Sequence, residues 1–133
     1  MARYYYAGSQ RIAVRHGNGS GTDGLTFLLS DHLGSASKTV DPLSNTYTNK
    51  PNVLTENRYK PWGESRHTSG AISTDNTFTG QKSEMQELGL LFYKSRFYDP
   101  ALGRFASPDS IVPEPGNPLA WDRYAYANNN PLY

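Results

Sequence analysis

The sequence contains no cysteine among its 133 residues. Disulfide staples, thiolate metal sites and cysteine nucleophiles are therefore excluded. That absence does not fix a compartment, since many secreted bacterial proteins also lack cysteine. No stretch reaches the roughly 18 consecutive apolar residues that a membrane-spanning helix needs. Nor does an apolar segment follow Met1-Ala2-Arg3-Tyr4, so no signal peptide is visible. Strand-like sequence begins at once, as in a piece of a longer chain or a small separate reading frame. An excess of one charge is missing too. The 13 Lys and Arg stand against 12 Asp and Glu, and no basic stripe could track phosphates, which argues against nucleic-acid binding. The three histidines, His16, His32 and His67, are scattered rather than paired at ligand spacing, so neither a metal site nor a cofactor is expected. No segment sustains a 3.6-residue apolar period, so helix is minor.

What is present points to thin β layers. Hydrophobic residues make up 36% of the chain, a lean supply for a core. Aromatics reach 13%, with 10 Tyr against 5 Phe. Tyr buries a ring while keeping its hydroxyl bonded or wet, which suits a thin sheet better than a thick helical core. Twelve Gly and nine Pro supply many turns.

Four hairpins with one grammar can be read along the chain. Arg3–Tyr6 and Arg11–Arg15 flank Ala7-Gly8-Ser9-Gln10. Leu25–Ser30 and Ser35–Val40 flank Asp31-His32-Leu33-Gly34. Val53–Tyr59 and Glu64–His67 flank Lys60-Pro61-Trp62-Gly63. Leu90–Tyr98 and Arg104–Ala106 flank Asp99-Pro100-Ala101-Leu102-Gly103. Each pairs an aromatic or Leu-rich strand with a glycine-bearing turn, and the turn glycines Gly8, Gly34, Gly63 and Gly103 stand 26, 29 and 40 residues apart, which argues for a repetitive β architecture. Between them, residues 16–24 (HGNGSGTDG) and 68–76 are expected as flexible loops, and 43–52 as a polar loop or weak edge strand. The first lacks the helix and the Lys-Ser/Thr pair of a phosphate-cradling loop. Thr77–Gly80 and Arg123–Ala127 are short strand candidates, and Glu84–Leu88 could form a single helical or 3₁₀ turn. Ile111–Leu119 is extended or looped by its prolines. The sum is a mainly β chain with an open curved sheet whose edges need a neighbour, a cap or closure.

Some residues could carry chemistry. Asp109 reads either as one half of an acid pair or as a turn residue bonding its own backbone. Arg96 reads either as a bidentate carboxylate partner or as a cation stacked among Tyr93, Phe97 and Tyr98. Asp99 reads as structural. Trp62, Trp121 and the tyrosines could line a sugar-binding face or hold the sheet together. Asp122-Arg123 and Glu84–Glu87 read as solvated surface.

A set of uncommon words then carries a resemblance: YYYAGSQRIAVR, LLSDHLGS, RYKPWGE, FTGQKSE, GLLFYKSRFYDPALGRFASPDSI and RYAYANNNPLY. In this order they resemble the Rhs/YD-repeat family, specifically its repeat-associated core region. The resemblance covers nearly the whole chain. It implies a single domain over 1–133, with YD-like hairpins over 1–67 and the core-associated region over 77–133. Members wind β ribbons into a hollow shell that this region closes at one end, and toxin-carrying members cut off and enclose a C-terminal cargo. The chain is accordingly expected to be secreted or at a cell surface. Its expected partners are other YD-repeat segments, copies of itself joined by strand pairing, or a toxin cargo.

The family's cut resembles aspartic protease chemistry, and its motif sets an Arg thirteen residues before the first Asp. Arg96 and Asp109 match that spacing. The second Asp belongs to a DPxG word, and this sequence ends at Tyr133 before any such word. On this reading Asp109 lacks its partner and the chain is not a complete protease. The resemblance therefore implies a structural shell or end-cap module. The alternatives are an autoproteolytic aspartic endopeptidase core missing its second acid, and an extracellular fibre or tube subunit built by edge-strand pairing.

Overall fold

The computed structural model describes residues 2–18, 24–42, 52–71, 73–112, 114 and 116–132. Most of the loop expected over 43–52, and the middle of that over 16–24, lie outside the described residues. The first three hairpins form one antiparallel sheet whose spatial order follows the chain: β1 (Ala2–Ala7), β2 (Gln10–His16), β3 (Leu25–Ser30), β4 (Ala36–Asp41), β5 (Asn52–Tyr59) and β6 (Ser65–Ser69). Turn chemistry explains the reversals. The Asp31 carboxylate accepts from the backbone N–H groups of Leu33 (2.9 Å) and Ser35 (2.8 Å), closing the β3–β4 turn.

Register puts Tyr4, Val14 and Thr26 side by side, and Leu28 beside Thr39 and Thr55. This face is covered by residues 73–80. The Ala36 N–H donates to the Thr77 carbonyl (3.1 Å), and the Thr79 N–H donates to Ser35 Oγ (3.0 Å). Within the expected loop 68–76, Thr68 and Ser69 extend β6, and Thr74 is buried against the sheet. The opposite face leaves Tyr5, Phe27, Leu29 and Val53 exposed.

A second antiparallel sheet has the order β10-β9-β8-β7, formed by β7 (Lys82–Glu84), β8 (Leu90–Tyr93), β9 (Arg96–Asp99) and β10 (Arg104–Phe105). Here the sequence-based expectation needs correction. Leu90–Tyr98 is not one strand: the chain reverses at Lys94-Ser95, with Lys94 at φ 58°, and Tyr93 pairs with Arg96. The fold-back sets Leu91 opposite Tyr98, and both are fully buried. A straight strand would have carried one of them away from the core. Thr77–Gly80 is also not a strand. Phe78–Gly80 makes a 3₁₀ turn that turns Phe78 inward. Arg123–Ala127 contributes one bridge, Ala125 to Arg104, rather than a strand. Glu84–Leu88 is a single turn, in which the Leu88 N–H donates to the Glu84 carbonyl (2.8 Å).

The core lies where the two sheets meet. Phe78, Leu91, Tyr98 and Phe105 form a buried cluster, flanked by Leu33 and Tyr59 from the first sheet and by Tyr93 and Tyr126. Its rings meet at tilted and edge-on angles, such as Tyr93–Phe105 at 5.6 Å and 88°, the arrangement that aromatic quadrupoles favour. Each polar tip finds a partner. Tyr98 donates to the Trp62 carbonyl (2.7 Å) and Tyr59 to the Ala36 carbonyl (3.1 Å), while the Tyr93 hydroxyl lies 2.6 Å from Thr79 Oγ1. Burial raises the Tyr59 phenol from its usual value to about 12, and it pushes Tyr93 and Tyr98 up as well.

Candidate functional site

Arg96 opens β9, directly after the Lys94-Ser95 reversal, and that reversal sets the direction of its side chain. The guanidinium carbon lies 3.7 Å from the Phe105 ring centroid. Its Nη2 pairs with Asp109 Oδ2 at 3.0 Å, and its Nη1 donates to the Arg123 carbonyl at 3.4 Å. Arg96 is therefore both an aromatic-stacked cation and a carboxylate partner, although the ring is not one of the expected Tyr93, Phe97 and Tyr98 and the Asp109 contact is single rather than bidentate. The stacking ring is Phe105, on the neighbouring strand.

Asp109 also combines its two readings. Oδ1 accepts from the Ile111 N–H (3.2 Å), an Asp-turn bond, while Oδ2 faces Arg96. Its backbone is clamped by Arg123. The Asp109 N–H donates to the Arg123 carbonyl at 2.8 Å, and Arg123 Nε donates to the Asp109 carbonyl at 2.6 Å. Sequence reasoning assigned Asp122-Arg123 to solvated surface; Arg123 is exposed and Asp122 partly so, but both also make specific contacts. Arg123 bonds both site residues through its carbonyl, and Asp122 pairs with Arg104 at 3.2 Å. No local pattern marks Arg123, because its contacts bridge back to Arg96 and Asp109. The available hint was the RYAY word, which sits in the same region of the resemblance.

Asp109, Asp122 and Arg123 line a small cavity of about 80 Å³. Acid-pair chemistry needs two close carboxylates sharing a proton, one acting as base on water and the other as acid. Each of these two carboxylates instead faces its own arginine. As arranged, the cluster is an ion-pair frame that fixes Asp109 in place.

The other candidates lie elsewhere. His16 Nε2 is 2.7 Å from the Ser73 carbonyl, His32 lies in the β3–β4 turn, and His67 on β6 faces Arg58. Among the described residues, no three His, Asp or Glu side chains converge on a point that could hold a metal ion. Trp62 packs under Gly103, where an added Cβ would lie 3.0 Å from the indole, whereas Trp121 is exposed. Asp99 is structural, since its carboxylate accepts from the N–H groups of Ala101 (2.9 Å) and Leu102 (3.1 Å).

With this geometry in place, the chain can be set beside known proteins. It is 98% covered by a segment of the TcdB2-TccC3 crystal structure, with a TM-score of 0.72 and 20% identity. It matches the Photorhabdus luminescens Tc holotoxin pore carrying TccC3-D651A over 98% of its length, with a TM-score of 0.70 and 18% identity. The chain shares their fold. In each case it corresponds to 6% of the larger chain. At the sequence level it is 33% identical over 83 residues to the tRNA3(Ser)-specific nuclease WapA of Bacillus spizizenii, covering 60% of this chain and 4% of that protein. The tRNA nuclease WapA of Bacillus subtilis (strain 168) is 33% identical over 78 residues, covering 56% of this chain and 3% of the relative. No family model matches the sequence. The likenesses to solved structures show the fold, and the chain spans only a small part of each protein it resembles.

Proposed function

We propose that this chain is a structural β-shell or end-cap module of an Rhs-type protein, which encloses or presents a C-terminal toxin segment outside the cell. One observation carries the reading: nearly the whole chain takes the fold of a small segment of TcdB2-TccC3. The physics supports it. A sheet whose strands follow in chain order can be extended at β1 by any strand that precedes it. The second sheet and its aromatic cluster then lock the other end. The work of such a module is strand pairing and aromatic packing, with no chemistry of its own.

The test is purification of the tagged chain from its native host. Recovery with a larger repeat-bearing polypeptide, or as part of one, is the expected result. A lone monomer by light scattering sinks the reading, and ordered polymers of this chain alone would favour a self-assembling fibre instead.

A second reading is supported by the 3.0 Å Arg96–Asp109 pair. The pair would be one side of an autoproteolytic aspartic site completed by a second acid. In a polypeptide extended by its native downstream residues, this reading requires a cut that Asp109→Asn abolishes. An uncut extended chain, or a cut that persists in Asp109→Asn, removes it.

A further inference from the structure

Arg11 differs from the six cations of the described residues that form ion pairs. Lys38, Arg58, Lys60, Lys82, Arg96 and Arg104 all pair with carboxylates. Arg11, which faces Tyr6 across an irregularity between β1 and β2, has no carboxylate and no hydrogen-bond acceptor among the described residues. Its Nε is buried without a partner. The guanidinium carbon lies 4.9 Å from the Tyr4 ring centroid and 5.8 Å from that of Tyr6, so two aromatic rings hold the group in place. A buried guanidinium N–H without an acceptor is costly, and a cavity lies beside it.

This cavity, of about 240 Å³, lies between the β1–β2 turn and the strap that crosses the sheet. Gln10, Ser30 and Asn76 line it, and none of their side chains has a hydrogen-bond partner among the described residues. Among the described residues of the wall, Arg11 is the only cation and none is an acid.

We infer that this cavity binds a carboxylate, namely that of an Asp or Glu side chain on an extended peptide segment. One guanidinium matches the single charge and planar fork of a carboxylate, whereas a phosphate dianion calls for a second cation that the wall lacks. The neutral amides and hydroxyl can bond the remaining lone pairs. The volume suits a side chain rather than a folded domain. Its lining includes Ser9 and Gln10, next to the edge strand β1, whose free side an extended segment can follow. The inference does not depend on the shell reading and survives its failure.

The test follows the Arg11 Nε–H resonance by ¹⁵N NMR during titration with N-acetyl-glutamate N-methylamide, its glutamine counterpart, sodium acetate and inorganic phosphate. Saturable binding of the glutamate probe is expected, with the glutamine probe about tenfold weaker or more. Arg11→Gln should lose the glutamate response. Because that variant also loses the ring contacts of Arg11, Asn76→Asp provides an independent reading. It places a carboxylate in the cavity wall, so it should raise the thermal midpoint and block the glutamate probe. Equal binding of the glutamine probe, tighter binding of phosphate, an Arg11 resonance unmoved by any carboxylate, or a lowered midpoint in Asn76→Asp would each overturn the inference. Acetate binding as tightly as the glutamate probe would overturn the peptide as the source of the carboxylate.

Discussion

The two sheets are held together by different means. Between the middle strands of the first, the contacts are polar and in register. Thr39 and Thr55 face each other with hydroxyl oxygens 2.7 Å apart in a buried pair, and Thr26 and Asn57 are buried on the same sheet. Its large apolar side chains mostly stand on the open face. The second sheet is shorter and stands on an aromatic cluster that collects residues from Leu33 to Tyr126. A sheet held by strand hydrogen bonds can be extended by more of the same, because each added strand brings its own bonds. A cluster of fitted rings ends a structure, because its packing is specific to the side chains that fill it. This contrast is the physical content of reading the chain as repeats followed by an end.

The contrast can be broken at the cluster first. Phe78→Ala is expected to cost about 3–5 kcal/mol, by removing a fully buried ring from the junction, as measured by urea unfolding. A loss under about 1 kcal/mol would mean that the cluster does not hold the sheets together.

Turn glycines probe the same boundary. A Cβ on Gly63 (φ +91°) would lie 2.5 Å from the Phe78 ring, while one on Gly8 (φ +61°) would meet nothing within 4 Å. Gly63→Ala should therefore cost about 2–3 kcal/mol and Gly8→Ala about 1 kcal/mol, the price of a left-handed backbone alone. Equal losses in thermal melts would erase the difference between the two turns.

Alkali should act through the cluster as well. The Tyr59 phenol is raised to about 12 in the folded state, with Tyr93 and Tyr98 raised too, against an ordinary value near 10. Above pH 10 the unfolded chain binds fewer protons than the folded one, so stability falls as pH rises. Stability is fully present below pH 10 and declines from there through about 12 for Tyr59. The loss at pH 11 is about 1 kcal/mol per phenol, and Tyr59→Phe should flatten the slope measured by unfolding at stepped pH.

Polar pairing in the first sheet predicts a smaller and non-additive effect. Thr39→Val leaves the Thr55 hydroxyl buried without its partner, at about 1–2 kcal/mol, whereas Thr39→Val with Thr55→Val should return close to the original stability. Additive losses in the double variant would show that the pair does not act as a unit.

The smallest expected change is at the ion pair. Asp109 is 43% exposed and Arg96 22%, so solvent screens the contact. Asp109→Asn should shift stability by less than about 1 kcal/mol in chemical denaturation. A loss several times larger would make the pair a structural keystone rather than a frame.

Much of the first sheet was legible in the sequence. Asp31 and Gly34 mark the β3–β4 turn through local bonding, and the flanking residues follow strand patterns. The reversal at Lys94-Ser95 was not legible, because neither residue is a usual hairpin-turn former. It exists because it brings Leu91 onto Tyr98, a pairing that only the assembled core rewards. Phe78 was likewise read as part of a strand, since nothing local distinguishes a short strand from a 3₁₀ turn ending in Gly80. Of the candidate site, Arg96 and Asp109 came from their spacing within a resemblance, while Arg123 was missed.

The sequence by itself determined a β chain of glycine-turned hairpins without disulfides or membrane-spanning helices, because turn chemistry and strand alternation act over a few residues. Only the tertiary structure decided which distant residues meet. Phe105 slides under Arg96, Arg123 clamps Asp109, and Arg11 faces a cavity beside the β1–β2 turn. Those contacts depend on register and on packing between sheets, and no short window of sequence contains both sides of them.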